Sequence, residues 1–112
     1  MANIKKLNNL RNRRKEALII LAGGACVRCG FSGHRASFDF HHVVPKNKLY
    51  NISQLFGKSD AEFEGYAVPE AREKCVLLCK NCHALIHADE EEFDAIYYKW
   101  EAAKQSLKDS LE

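Results

Sequence analysis

The spacing of apolar residues predicts helices at both ends of the chain, with a strand between them. Residues 4–22 carry apolar side chains at helical spacing, and the glycine pair at 23–24 is typical of a helix end. The segment 36–44, ASFDFHHVV, is rich in aromatic and β-branched residues, which favours a strand that ends at Pro45. Residues 46–70 show the least regular pattern. One short helix is expected around Ser53–Phe56 and another within 60–74, with Pro69 at or near a helix start.

The second half of the chain also alternates between extended and helical patterns. The apolar run CVLLC at 75–79 leads into a turn, and HALIH at 83–87 has helical spacing. Asp89 is a suitable N-cap for a last helix over 89–110, because the glutamates that follow it favour the helix dipole. The apolar face of that helix would consist of Phe93, Ile96, Tyr97 and Trp100.

Length and composition favour one small α+β domain. The chain has 112 residues, of which 46% are hydrophobic and 29% are charged, an ordinary globular balance. We therefore expect a single domain over 1–112, with a core at 26–87 between a basic helix at 4–22 and a helix at 89–110. No secretory signal is visible, and the apolar run at 17–22 is too short to span a bilayer. The expectation is a cytoplasmic protein without a membrane partner.

The charge distribution suggests a polyanionic partner. The net charge is only +2, but the first 15 residues contain several lysines and arginines and no acid. Such an arm suits the backbone of a nucleic acid, with DNA as the expected partner, whereas the alternative is a solvated helix face. The side chains expected to contact phosphates are Arg11, Arg13, Arg14 and Lys15, with Lys5 and Lys6 preceding them.

Two cysteine pairs predict a metal site. Five cysteines in a chain expected to be intracellular favour metal binding over disulfides. Cys26 with Cys29, and Cys79 with Cys82, have the spacing of zinc knuckles, and four thiolates complete a closed, structural Zn²⁺ site. A thioredoxin-like redox pair is the alternative, but two pairs without a βαβ pattern argue against it. Cys75 is expected to be a buried free thiol.

The histidines predict a second site. His83 and His87 lie one turn apart on the predicted helix, where two imidazoles can grip a transition metal. His41 and His42 are neighbours on the predicted strand and therefore point to opposite faces. One of them can join the metal, while the other faces a groove and accepts a proton from water. With a metal ion neutralising a phosphodiester, this combination predicts hydrolysis of a nucleic-acid backbone.

Taken together, the motifs CVRCG, DFHHVVP and KCVLLCKNCHALIH resemble the HNH (His-Asn-His) endonuclease family. The likeness is to its four-cysteine subgroup of small phage and bacterial proteins, and it covers residues 26–87. The resemblance implies a ββα-metal fold, in which two antiparallel strands and a helix surround one divalent ion. It also implies a metal-dependent DNA endonuclease, encoded by a bacterium or a phage, that nicks or cuts both strands. Other phage or host DNA-processing proteins are its further implied partners.

The same resemblance assigns roles to the histidines. It implies that His42 is the general base, that His41 and His83 are metal ligands, and that His87 matches the ligand of colicin nucleases with an H-x3-H ending. The catalytic ion would be Mg²⁺, Mn²⁺, Ni²⁺ or Zn²⁺, beside the structural zinc held by the cysteines.

One position departs from the family pattern. Lys74 stands where the family usually has its central Asn, which is thought to fix the loop that orients the base. Asn47, Asn51 or Asn81 could substitute for it, and Lys74 could contact a phosphate instead. The rival hypothesis is a zinc-stabilised DNA-binding module without catalysis, which leaves the histidines idle. A redox or zinc-storage protein would not account for the basic arm.

Overall fold

The computed structural model describes the backbone of residues 2–111 and the side chains of residues 8–109. Within that range the chain is an α+β protein with one two-stranded antiparallel sheet, as the sequence predicts. The side chains of Lys5 and Lys6, which belong to the predicted basic arm, lie outside the described residues. The elements are α1 (Ala2–Leu21), β1 (Phe38–His42), α2 (Ile52–Leu55), α3 (Asp60–Glu62), α4 (Val68–Lys74), β2 (Cys75–Cys79), α5 (Lys80–Ala88) and α6 (Glu90–Leu111). Across the described residues, we find no helix with the length and apolar character required to cross a bilayer.

Helix α1 ends at the predicted glycine pair. Gly23 and Gly24 have φ values of 101° and 74°, which an L side chain rarely adopts. The Gly24 N–H donates to the Ile19 carbonyl at 2.9 Å, so a carbonyl of the last turn is satisfied. Two of the apolar residues of this helix differ in their surroundings, because Leu18 is buried while Leu21 is 58% exposed.

The sheet pairs the histidine strand with the apolar run that leads to the second knuckle. In the antiparallel register, Phe38 lies opposite Cys79 and His42 lies opposite Cys75. Strand β1 is shorter than the predicted 36–44, because residues 35–37 form a 3₁₀ turn and the ladder ends at His42. The Val43 N–H still donates to the Lys74 carbonyl at 3.0 Å, which ties the chain beyond β1 to the end of α4.

The segment before β2 is more regular than its sequence indicates. The Ser59 hydroxyl accepts from the Glu62 N–H and begins a helical stretch that continues to Lys74. Its middle, Phe63–Ala67, is π-helical, and Pro69 lies at the start of α4 as expected. Glu70 of this stretch contacts His42, which lines the groove described below.

Two groups of buried side chains form the core. One contains Phe38, Leu77, Leu78, Ile86 and Ile96, and joins the sheet to α5 and α6. The second group joins α1, α2 and α4, and consists of Leu18, Ile52, Phe56, Ala71 and Cys75.

The Asp89 carboxylate caps α6 by accepting from the Glu91 and Glu92 N–H groups, as predicted.

Candidate metal centre and nucleic-acid interface

The four knuckle cysteines come together at one end of the sheet. The Sγ atoms of Cys26, Cys29, Cys79 and Cys82 lie within 4.8 Å of one another. The Cys29 and Cys79 sulfurs are 3.7 Å apart. Ligands on a tetrahedral zinc with Zn–S bonds of about 2.3 Å are separated by roughly 3.8 Å, so this spacing fits such an ion. The four cysteines can therefore hold a structural metal such as zinc.

The backbone around the knuckles favours the thiolate form of Cys26, whereas burial raises the pKa of Cys82 to about 12. Burial raises the pKa of Cys26, but backbone N–H groups of Cys79, Cys29 and Arg28 outweigh it and lower the pKa to about 6. The Cys82 N–H donates to the Cys79 sulfur at 3.5 Å. Donors that stabilise a thiolate suit a cation-binding cluster, because the thiolate is the form that binds metal.

Cys75 lies outside this cluster and is buried, as expected. Burial raises the pKa of its thiol to about 12, so the side chain packs as a small apolar group.

Three histidines form a second cluster. One ring nitrogen from each of His41, His83 and His87 lies within 4.8 Å of the others. The Nε2 atoms of His83 and His87 are 3.0 Å apart. Two ligands about 2.1 Å from a shared ion are separated by roughly 2.9–3.4 Å in octahedral or tetrahedral geometry, so the pair fits a divalent metal.

Asp39 orients the ring of His83. The Nδ1–H of His83 donates to Asp39 Oδ2 at 2.9 Å, which leaves Nε2 with its lone pair toward His87. Burial raises the pKa of Asp39, but hydrogen bonds from Lys80 and His83 outweigh it, so the pKa lies below its usual value. Sequence reasoning missed Asp39, although its position two residues before His41 places both on one face of β1.

His41 is the most enclosed member of the cluster. It is 4% exposed and lies between the rings of His83, His87 and Phe93, with centroid distances of 5.4–5.5 Å. Burial, followed by the neighbouring His83, His87 and His42, lowers its pKa to about 4. His41 is therefore neutral at physiological pH, the form in which imidazole binds a metal.

His42 contacts a different set of residues from its neighbour. Its Nε2 lies 3.0 Å from Oε2 of Glu70, and the two side chains are only 9% and 3% exposed. The same carboxylate oxygen accepts from the Leu49 N–H at 3.0 Å and from the Tyr50 N–H at 3.3 Å. No sequence pattern pointed to Glu70, because these partners are distant in the chain and two of them are backbone groups.

A groove of about 290 Å³ is lined both by His42 and by a member of the three-histidine cluster. Both His42 and His83 line it, and so do the cationic side chains of Lys15 and Lys48. Burial, and then the nearby Lys80, lower the pKa of Lys15. The groove thus combines an imidazole, one member of the three-histidine cluster and positive charge, which suits a phosphodiester.

The basic residues of α1 have different surroundings. Lys15 faces the groove, whereas Arg13 is exposed beside Glu16 and Arg35 on another part of the surface. The guanidinium of Arg11 lies against Gly57, where an added Cβ would come within 2.6 Å of it. These placements leave Arg11, Arg13 and Lys15 as candidates for phosphate contact.

Arg14 corrects the expectation that the whole basic run contacts phosphates. Its side chain is 7% exposed, and its guanidinium donates to the Phe56 carbonyl at 2.8 Å and the Lys58 carbonyl at 2.6 Å. The other terminal nitrogen pairs with Asp60 at 2.6 Å. Arg14 is therefore a structural residue that joins α1 to the segment before α3, with both terminal nitrogens hydrogen-bonded within the protein.

Lys74, at the family's Asn position, points into the protein rather than to open solvent. Its Nζ pairs with Glu70 Oε1 at 3.1 Å, and its side chain is 24% exposed. This pairing with Glu70 does not favour the expected phosphate contact. Of the three asparagines considered as substitutes, Asn51 lines the groove.

Comparison of the chain with family models, with curated proteins and with solved structures finds no match in any of the three.

Proposed function

We propose that the protein is a metal-dependent DNA endonuclease of the HNH type, with His42 as its general base. The observation that carries this proposal is the shared groove, in which His42 and His83 lie together with Lys15 and Lys48. A proton acceptor, a potential metal ligand and positive charge within one groove are the groups that phosphodiester hydrolysis requires. The proposal includes a ββα-metal core made of β1, β2 and α5.

The chain's own residues supply the steps of binding and proton transfer. Lys15 and Lys48 attract the backbone phosphates into the groove, because both carry positive charge at its wall. His42 takes a proton from a water molecule, whose oxygen then attacks the phosphorus. The P–O bond to the leaving oxygen breaks in this step, and that oxygen takes up a proton from solvent. The hydrogen bond between His42 Nε2 and Glu70 leaves Nδ1 as the nitrogen with a lone pair for that proton.

The proposed cofactors are two metal ions. His41, His83 and His87 would hold a divalent ion, which when bound neutralises charge on the phosphodiester and on its leaving oxygen. Cys26, Cys29, Cys79 and Cys82 would hold a structural Zn²⁺ that stabilises the fold. Support for the first assignment comes from the carboxylate behind His83 and from the neutral state of His41, since metal-binding imidazoles have both features.

The test is a plasmid-nicking assay with the zinc-loaded full chain and the His42→Ala variant, each with added Mg²⁺, Mn²⁺, Ni²⁺ or Zn²⁺. Loss of the base should lower the single-turnover rate by about 10²–10⁴-fold while DNA affinity persists. His34→Ala is the matched control, because His34 is an exposed imidazole that caps the turn before β1. Zinc content is measured for every sample, so that loss of the fold is not mistaken for loss of the base.

Two results would count against the proposal. Equal cleavage by His42→Ala and the parent protein would remove His42 from the mechanism. A parent protein that is folded, zinc-loaded and able to bind DNA, yet nicks no plasmid with any of the four ions, would favour the DNA-binding module instead.

A further inference from the structure

Glu70 is an almost completely buried carboxylate that contacts His42, a residue of the groove. Its side chain is 3% exposed, on the first turn of α4. Oε2 accepts from His42, Leu49 and Tyr50, and Oε1 pairs with Lys74. Burial raises the pKa of Glu70, but the Leu49 N–H, Lys74, His42 and the Tyr50 N–H together outweigh it and hold the pKa below its usual value. The carboxylate is therefore ionised.

An ionised carboxylate can only accept hydrogen bonds, and this determines the tautomer of His42. Because Glu70 Oε2 lies 3.0 Å from His42 Nε2, the proton of the neutral ring must be on Nε2. The lone pair is then on Nδ1, since one ring nitrogen's hydrogen bond decides which of the two carries the proton. Without Glu70, both tautomers of the neutral ring would be populated.

The same oxygen of Glu70 also fixes the backbone of residues 49–50. Two consecutive backbone N–H groups, those of Leu49 and Tyr50, converge on it from the irregular segment between β1 and α2. Lys48, immediately before them, lines the groove with His42. One carboxylate therefore fixes the position of the imidazole relative to a cationic segment of the groove wall.

We propose that Glu70 is a positioning residue, which holds His42 as its Nε2–H tautomer and fixes residues 49–50 beside it. This inference rests on the proposed function of His42 as the base. It assigns two tasks to Glu70, which are orienting the imidazole and fixing the backbone of residues 49–50. Lys74 is linked to the same group through Oε1.

The first test does not depend on cleavage. Two-bond ¹H–¹⁵N NMR spectra of the zinc-loaded full chain report which ring nitrogen of each histidine carries the proton. The parent protein, measured at a pH where the His42 ring is neutral, should show the Nε2–H tautomer of His42. Glu70→Ala should give a mixture of the two tautomers. Glu73→Ala is the matched control, because Glu73 is an exposed acid on the same helix and its loss removes the same charge.

The second test separates positioning from folding and from DNA binding. Glu70→Ala should lower the single-turnover cleavage rate by about 10- to 100-fold, less than the full contribution of a general base, with unchanged DNA affinity. Glu70→Gln retains an acceptor oxygen at the same distance and should keep most of the rate. If Glu70→Ala does not fold, the tautomer of His42 in the parent protein and the cleavage rate of Glu70→Gln still decide whether Glu70 positions His42.

The outcomes are distinguishable from those of the proposed function. A parent spectrum with the proton of His42 on Nδ1 would overturn the inference, and so would a Glu70→Ala variant that is folded and cleaves like the parent. If the parent cleaves no DNA, the proposed nuclease function fails. The tautomer in the parent and in Glu70→Ala then decides alone whether Glu70 positions His42.

Discussion

Replacing Arg14 by alanine should destabilise the protein without changing its electrostatic attraction to DNA. The guanidinium is 7% exposed and joins α1 to two backbone carbonyls of residues 56–58. It also lies 4.9 Å from the centroid of the Phe63 ring. An alanine at this position leaves the Phe56 carbonyl buried without its donor, while the other basic side chains of α1 that are proposed to contact phosphates stay in place.

The expected loss of stability follows from the separate contacts. The buried hydrogen bond to the Phe56 carbonyl contributes about 1.5–3 kcal/mol, and the ring contact adds roughly 0.5–1 kcal/mol. The hydrogen bond to the Lys58 carbonyl is only part-buried, so water can replace the lost donor and its removal costs little. The pair with Asp60 adds little, because Asp60 is 92% exposed and such surface pairs contribute about 0–1 kcal/mol. We expect Arg14→Ala to lower the free energy of unfolding by about 2–4 kcal/mol, and Tm by roughly 8–16 °C for a domain of this size.

The assay combines urea denaturation, followed by circular dichroism, with DNA binding at several salt concentrations. Arg13→Ala is the matched control, because Arg13 is the exposed neighbour on the same helix. That variant should lose less than about 0.5 kcal/mol of stability. If Arg13 contacts a phosphate, its loss should also reduce the slope of log affinity against log salt by about one. A folded Arg14→Ala protein with parental stability and a reduced salt slope would refute the structural role of Arg14.

Three further experiments, with four variants between them, test the metal and groove assignments. Cys79→Ser should abolish zinc binding and leave the chain unfolded, whereas Cys75→Ala should retain one zinc per chain. Metal analysis measures the zinc content of both variants, and circular dichroism measures whether they are folded. His41→Ala should weaken divalent-ion affinity about 10-fold or more and regain part of its cleavage rate at excess metal; calorimetry that detects no weakening would contradict it. Lys15→Gln should weaken binding to all DNA sequences alike and reduce the salt slope by about one, and an unchanged slope would exclude the contact.

The sequence indicated the cysteine cluster because a knuckle is a local structure. Two cysteines three positions apart on a tight turn point the same way, so their spacing alone predicts a shared ion. The proximity of His83 and His87 follows equally from one helical turn. His41 joins them because β1 packs against α5. The alternation of strand side chains predicted that one of the two neighbouring histidines could face the helix, but it did not predict which one. The metal role of these histidines stays a prediction.

Arg14 and Glu70 show why other features could not be predicted. Both side chains are buried because backbone groups from distant segments of the chain surround them, and no residue spacing encodes such partners. Arg14 is part of a basic run, in which a structural arginine and a phosphate-contacting arginine have the same sequence signature. Glu70 lies at the end of the segment with the weakest periodicity, where the sequence predicted little beyond a helix start near Pro69.

The register of the sheet has a consequence for the paired histidines. A slip of one position exchanges the faces to which all strand side chains point. A slipped β1 would leave an imidazole at only one of the two locations, because either Val43 would take the place of His42 or Phe40 would take the place of His41. The observed register is marked by the pairing of Phe38 with Cys79, a residue of the cysteine cluster. A metal ion at that end of the sheet would thus help to keep each histidine in its own environment, although it touches neither of them.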